Sequence, residues 1–389
     1  MNMKFLTISI LWLLALTASA NDGVYYVSGA QIIPLQETDV AVTKEVLTIT
    51  ITDDEFARVD VQYEFTNRGK AKTIDVGFEA RGPYDPGGES PFNKAGKHPH
   101  IFDFTVEMNG TKLPIQNYVI KEGEEGNVSD FKPLDLNVWQ QPTGNDDDFD
   151  NLVNKNTKES IMYSYAYCFK ANFKEGKNLV HHTYRYRMSN GVYENFSVPY
   201  WLTPAVRWAN HQIDDFTLRI KVDKTAKQFT LTNDNMWKAS QWRVTQGVGK
   251  MHVIKDGWGD TEYLEFALRN GTYEWHATNF RPTSDFVISS PEHVLFYRDD
   301  FKLGRYYERN SGIYAPYEKM ENGEVRNGTT QGIANSRILR NLPYASRGYV
   351  FKDQKLAAYF KSLWWYMPDP NWVQSTADFT KLEQELIKK

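Results

Sequence analysis

Eight histidines, one cysteine and 49 acidic residues are the side chains here that can carry catalysis or hold a metal, and their spacing decides among those chemistries. His98 and His100 bracket Pro99 in a Gly/Pro-rich stretch. With a carboxylate the pair can ligate a metal, but a plain surface loop is the favoured reading. His181 and His182 are adjacent, so on a strand they point to opposite faces and cannot easily share an ion. Asp146, Asp148 and Asp150 open like a calcium loop, and Glu159 stands twelfth from Asp148. Leu152 and Val153 then occupy the fifth and sixth positions, the second of which needs glycine, so an EF-hand is excluded and only loose calcium binding stays open. Cys168 lies within an aromatic run rather than at a helix start, which argues against a thiolate nucleophile. A single cysteine also excludes a disulfide framework and any multi-thiolate centre. Gly247-Val248-Gly249 meets His252 where a dinucleotide fingerprint has its third glycine. The P-loop ending, the Gly-x-Ser-x-Gly elbow and the His-Glu-x-x-His pair are all missing. A carboxylate pair that hydrolyses glycans leaves no local motif, so a cell-wall glycan hydrolase using an Asp/Glu pair is kept as an alternative. No catalytic residue, metal ligand or cofactor is assigned, beyond that weak allowance for calcium, and the chain is read as a non-enzyme.

Composition narrows the partners. Forty-five basic against 49 acidic residues leave a net charge of -4, which gives phosphate backbones no general attraction, so nucleic acid is excluded as a partner. Lys4 precedes an apolar run from Phe5 to Leu16, and Ala18-Ser19-Ala20 supplies the small-x-small pattern of a cleavage site. The run is shorter than the roughly 20 residues a membrane span needs. Residues 1–20 are therefore expected to be a signal peptide cleaved after Ala20, with a periplasmic or secreted mature chain that carries no transmembrane segment.

The elements that must position any site are mostly strands. Val40 to Thr52 alternates around Val42, Val46 and the run Leu47 to Ile51, and Phe56 to Phe65 repeats a period of two. Asn109-Gly110 and Asn270-Gly271 are hairpin signals, as are the Asn-Gly pairs at 190, 322 and 327. Around Gly176, Ile161, Tyr163, Tyr165 and Tyr167 share one strand face, and Val180, His182, Tyr184 and Tyr186 share another. Such a stripe suits a packed sheet layer better than a glycan platform. Residues 122–150 carry nine acidic residues against Lys132 and read as an exposed, irregular insertion. After residue 300 the period turns helical. Leu356, Tyr359, Phe360 and Leu363 follow Asp353, a suitable N-cap, and Ser375 and Asp378 precede Phe379, Leu382 and Leu386. The expected fold is mainly β: an antiparallel β-sandwich-like region over 21–300, as one or two units, and a small, mostly α C-terminal module over 330–389.

The C-terminal residues are more specific. Arg337-Ile338-Leu339-Arg340-Asn341-Leu342-Pro343-Tyr344-Ala345-Ser346-Arg347-Gly348-Tyr349-Val350-Phe351, followed by Trp364-Trp365-Tyr366 and Pro368, resembles the YARHG domain of exported bacterial proteins. In the defining pentad Ser346 replaces the family's Arg and Arg347 its His. Residues 21–29, with Ile33-Pro34-Leu35 and Val42-x-x-Glu45-x-Leu47, are similar to a domain of unknown function in exported bacterial proteins. Neither resemblance brings a catalytic activity. Together they imply an envelope or extracellular protein that binds another protein or a cell-wall polymer, with a calcium-dependent adhesive or ligand-binding module as a further alternative. Tyr344, Arg347, Trp364 and Trp365 are the candidate binding residues of the module. An aromatic core is the competing role for all four, with Arg347 stacked on a ring.

Overall fold

A computed structural model of the chain describes residues 28–36, 38–52, 55–83, 92–123, 129–142, 151–189, 196–223, 227–232, 236–255, 262–290, 305–308, 313–316, 329–377, 379 and 381–388. The expected signal peptide, the Asn-Gly pairs at 190, 322 and 327, and Asp146 to Asp150 lie outside them.

The strands, in chain order, begin with the short β1 (Gly29–Ala30) and β2 (Ile33–Pro34), then β3 (Val40–Ile51), β4 (Phe56–Asn67) and β5 (Lys72–Arg81). Next come β6 (Ile101–Met108), β7 (Thr111–Lys112), β8 (Gln116–Lys121), β9 (Trp139–Gln140) and β10 (Asn151–Asn154). They continue with β11 (Ser160–Phe173), β12 (Gly176–Arg187), β13 (Ser197–Trp201), β14 (Ile213–Val222) and β15 (Lys227–Thr232). The last long ones are β16 (Trp242–Lys255), β17 (Glu262–Phe280) and β18 (Phe286–Ser289). Beyond them lie short strands at 305–308, 313–316, 329–330 and 333–334, and the helices α1 (Asn335–Ser346), α2 (Gln354–Ser362) and α3 (Lys381–Lys388).

The protein is mainly β with a small helical C-terminal part. The larger sheet runs β1-β13-β18-β15-β17-β14-β3-β4-β12-β6-β7, with β16 on the other side of β17. The smaller runs β2-β5-β11-β10-β9, with β8 also on β11. Gly176, at φ +77°, passes the chain from β11 in the small sheet to β12 in the large one. The two aromatic stripes therefore face each other across the core rather than lying side by side. Phe78 of β5 packs edge-on against Tyr184 of β12 at 5.1 Å, and Phe65 of β4 against Phe173 of β11 at 5.5 Å.

Two expectations are corrected. The large sheet is mixed, not antiparallel, because β3 runs parallel to β14 and β1 parallel to β13. Hairpin signals report only neighbours in sequence, whereas these pairings join residues about 170 apart, as in Glu45 with Phe216. Asn270-Gly271 is not a hairpin turn but lies inside β17, where β16 shifts register between Val244 and Val248. Asn270 has φ +45°, and Gly247 opposite it has φ +74°. The Asn-Gly chemistry is used to bend a continuous strand. Beyond that bend β17 exchanges one neighbour for another, pairing β15 along 263–268 and β14 along 271–280. Asn109-Gly110 does form the expected turn, but β7 is only two residues long and the chain then crosses to the small sheet as β8.

The helices gather Ile338, Leu342, Phe351, Leu356, Phe360 and Trp365 into a second cluster, which also takes in Ala267 of β17. Asp353 caps α2 by accepting a hydrogen bond from the Leu356 amide at 2.9 Å.

Candidate functional site

The four candidate residues of the C-terminal module occupy different surroundings. Arg347 is buried, 5% exposed, and donates through both terminal nitrogens to Glu383 at 3.0 and 2.8 Å. Its guanidinium also lies 4.2 Å from the centroid of the Phe379 ring. Trp365 is buried in the helical cluster. Tyr344 is half-buried and meets Phe379 edge-on at 5.0 Å. Trp364, also half-buried, stacks on His252 of β16 at 4.2 Å, while Lys250 on the same strand donates to the carbonyls of Trp364 and Tyr366. His252 in turn reaches Glu265 of β17 at 2.6 Å. Gly348 closes the motif at φ +87°, where a Cβ would stand 3.0 Å from the Arg269 guanidinium carbon and 2.9 Å from the Met367 carbonyl. Arg269 pairs with Asp369 at 3.4 Å. The structure thus brings these aromatics together as a cluster and applies Trp364 to the β16–β17 hairpin of the same chain.

The histidine loop also differs from the expected surface loop. His98 and His100 are both buried. As a neutral imidazole, His98 donates from Nε2 to the Arg81 carbonyl at 2.9 Å and accepts at Nδ1 from the His100 amide at 3.1 Å, so neither nitrogen is left for a metal. Burial and the neighbouring His100 push its pKa down to about 3. The hydroxyls of Tyr165 and Tyr167 hold the loop by accepting from the Asn93 and His98 amides. Across the core, burial lowers His182 to about 4. Cys168 is partly buried and its thiol is pushed up to about 11, first by burial and then by Asp75, which leaves it unreactive at neutral pH. In the acidic stretch Asp130 and Asp135 are exposed, whereas Phe131 is buried and residues 139–140 form a short strand; residues 124–128 and 143–150 lie outside the described residues. Among the described residues no group of three or more His, Cys, Asp or Glu is disposed to hold a metal.

The convergent site lies where β1, β2, β5, β8 and the end of β13 meet. A cavity of about 160 Å³ opens there, lined among others by Gln31, Glu79, Arg81, Glu122, Trp201 and Asp285. Arg81, last in β5, lays its guanidinium 4.4 Å from the Trp201 ring centroid and pairs with Glu122 at 2.6 Å. Glu79, two residues earlier on the same strand face, is 7% exposed and accepts from the amide and hydroxyl of Ser129. Asp285 accepts from the Leu202 amide, the Thr203 amide and the Thr203 hydroxyl, all at Oδ1, which fixes the 3₁₀ turn after β13. Burial raises the pKa of Glu122; Arg81 opposes the shift and the charge of Glu79 adds to it.

Behind the cavity, Gln31 reaches into the core. Its amide donates to Glu45 Oε1 at 2.6 Å and its carbonyl accepts from the Tyr63 hydroxyl at 2.9 Å. Glu45 is fully buried and its pKa is raised by that burial to about 8, so the group is a neutral acid at pH 7. Its Oε2 has no hydrogen-bond partner among the described residues. Sequence periodicity missed this residue, because alternation from Val42 to Val46 points Glu45 outward. A register shift between Val42 and Lys44 inverts the faces, so that Glu45, Leu47 and Ile49 all point inward. An acid beside the start of an apolar β-branched run was the signal available.

Residues 334–389 match the YARHG domain family, as the motif at Tyr344 to Gly348 implied. No curated protein matches the chain. Among solved structures, a candidate nutrient-binding protein of Legionella pneumophila is 17% identical, with 95% of this chain and 98% of that one covered and a TM-score of 0.49. An M1 zinc metallopeptidase of Deinococcus radiodurans is 10% identical over 67% of this chain and 44% of that one, at a TM-score of 0.24. Both likenesses are too slight to transfer an activity.

Proposed function

We propose that this is an exported, non-catalytic binding protein of the bacterial envelope, and that the cavity beside Trp201 receives a polar group of its partner. The partner is an envelope protein or a cell-wall polymer. The observation that carries the reading is the cavity itself: an aromatic ring and four charged side chains converge on one open space from β5, the end of β13 and the segments beside β8 and β18. The YARHG domain supports export, being a module of exported proteins. The engagement of Arg347 and Trp365 inside the helical cluster supports a contact surface on the β region over one on the C-terminal module.

The test is to incubate the purified chain with isolated sacculi and with envelope extract, then measure retained protein, captured partners and released sugars. Capture without sugar release is expected, and a Trp201→Ala variant that keeps its melting temperature should lose it. Release of muropeptides would overturn the non-catalytic reading. Capture untouched by Trp201→Ala would remove the cavity from it.

A further inference from the structure

From the charge and geometry of the cavity, and resting on the reading that it is a binding site, we infer that it selects a cation, an alkylammonium or guanidinium group carried on a short apolar stem. Three carboxylates and one guanidinium line it. That guanidinium is stacked on Trp201 and its charge is already matched by Glu122, which leaves two carboxylates of the lining in excess. The carboxylates are differently placed. Among the described residues, the hydrogen bonds that Asp285 accepts fall on Oδ1 and the ion pair of Glu122 falls on Oε1, so Oδ2 and Oε2 keep acceptor capacity toward them. Glu79 adds a third negative charge in a nearly buried position, where solvent screens it little.

Arg81 shows what the site holds. A planar cation lies on the Trp201 ring with a carboxylate at its edge, the combination that recognises ammonium and guanidinium ligands. Arg81 is 47% exposed at its side chain, whereas Glu122 is 9% exposed, so the cation is the member of the pair able to swing out. Ile33 and Pro204, also in the lining, offer apolar surface to a methylene stem. An incoming cation exchanges with Arg81 over the ring, or sits beside it between Glu122 and Asp285. In either case it offsets the charge of Glu79, which adds to the burial that makes Glu122 hold its proton more tightly.

The experiment is isothermal titration of the full chain with 1,5-diaminopentane, its isosteres 1,5-pentanediol and glutarate, and an acetylated, amidated lysine peptide. Heat from the diamine or the lysine peptide is expected, and none from the diol or glutarate. The diamine and the peptide distinguish a free amine from a protein side chain as the source of the cation. Glu122→Gln should weaken the cation by about tenfold, the effect of some 1.4 kcal/mol, without shifting the melting temperature. Arg81→Met should tighten it, because the internal competitor is gone. Glutarate or the diol binding as well as the diamine would overturn the charge selection while keeping the cavity as a site. Weaker diamine binding in Arg81→Met would also overturn it. Silence from all four probes at millimolar concentration, with sacculi and extract also failing to capture the chain, would remove the binding reading as a whole.

Discussion

At the scale of single residues, Glu45, His98 and His182 are buried groups whose proton affinity depends on being folded and bears on stability between pH 3 and 8. Glu45 keeps its proton in the fold up to about pH 8, while the unfolded chain releases it near pH 4.5. Across that window the folded state binds more protons, so stability falls as pH rises. His98 and His182 act with the opposite sign. Below about pH 6.5 the unfolded chain takes up protons that the folded imidazoles refuse until about pH 3 and 4, so stability falls as pH is lowered. The three together place the stability maximum near pH 6.5, measurable as the peak of melting temperature against pH. Glu45→Gln preserves an acceptor for the Gln31 amide and removes only the alkaline limb. It should raise the melting temperature by several degrees at pH 8 and leave it unchanged at pH 4; an equal shift at both would contradict a neutral buried acid. Arg347 offers a second check. Arg347→Met leaves Glu383 buried without its cation and should cost about 3–5 kcal/mol in denaturant unfolding, most of it recovered when Glu383→Leu is added. A single variant of unchanged stability would mean that Arg347 has a role outside the core.

At the scale of elements, the bend in β17 is what joins the two runs of strands in the large sheet. Gly247 sits at φ +74° and an added Cβ would stand 2.2 Å from the Asn270 carbonyl oxygen. Gly247→Ala should therefore destabilise by at least about 2 kcal/mol, the left-handed conformation and the backbone clash acting together. A neutral effect in thermal unfolding would show that β16 can slide past the bend. This element also marks the limit of what sequence conveys. Strands such as β4 and β12 were legible because each buries one face, which imposes a period of two over ten or more residues, and β11 because its aromatic residues keep that period although its middle is covered on both faces. Helix α2 was legible because Asp353 and the Leu356, Tyr359 and Phe360 face are local. Asn270-Gly271 was misread because the same left-handed preference serves a turn and a bulge, and only the partner strand distinguishes them. Of the cavity, nothing was legible: Gln31, Arg81, Glu122, Trp201 and Asp285 come from five separate stretches, and no spacing along the chain links them.

At the scale of the whole molecule, the two parallel pairings decide how the sheet is closed. β1 meets β13 through Gly29 and Tyr200, and β3 meets β14 through residues 45–51 and 216–222. The Trp208 indole donates to the Ile32 carbonyl across 176 residues of sequence. Time, as much as energy, follows from this arrangement. A chain threaded N-terminus first through a narrow passage presents β3 long before the strand that will cover its free edge, so the large sheet cannot close until residue 222 has emerged. Pairings of such long sequence separation are slow to form. Refolding should therefore show hairpin pairing early and Trp208 burial in a late phase of seconds or longer, read by tryptophan fluorescence in a Trp208→Phe difference trace. Trp208 burial within milliseconds would contradict that order. The late step also has to return a proton to Glu45, which the open chain has lost at neutral pH. Closure should then slow as pH is raised from 4.5 to 8, so the acidity of the compartment would set how long this protein waits, unfinished, after its synthesis.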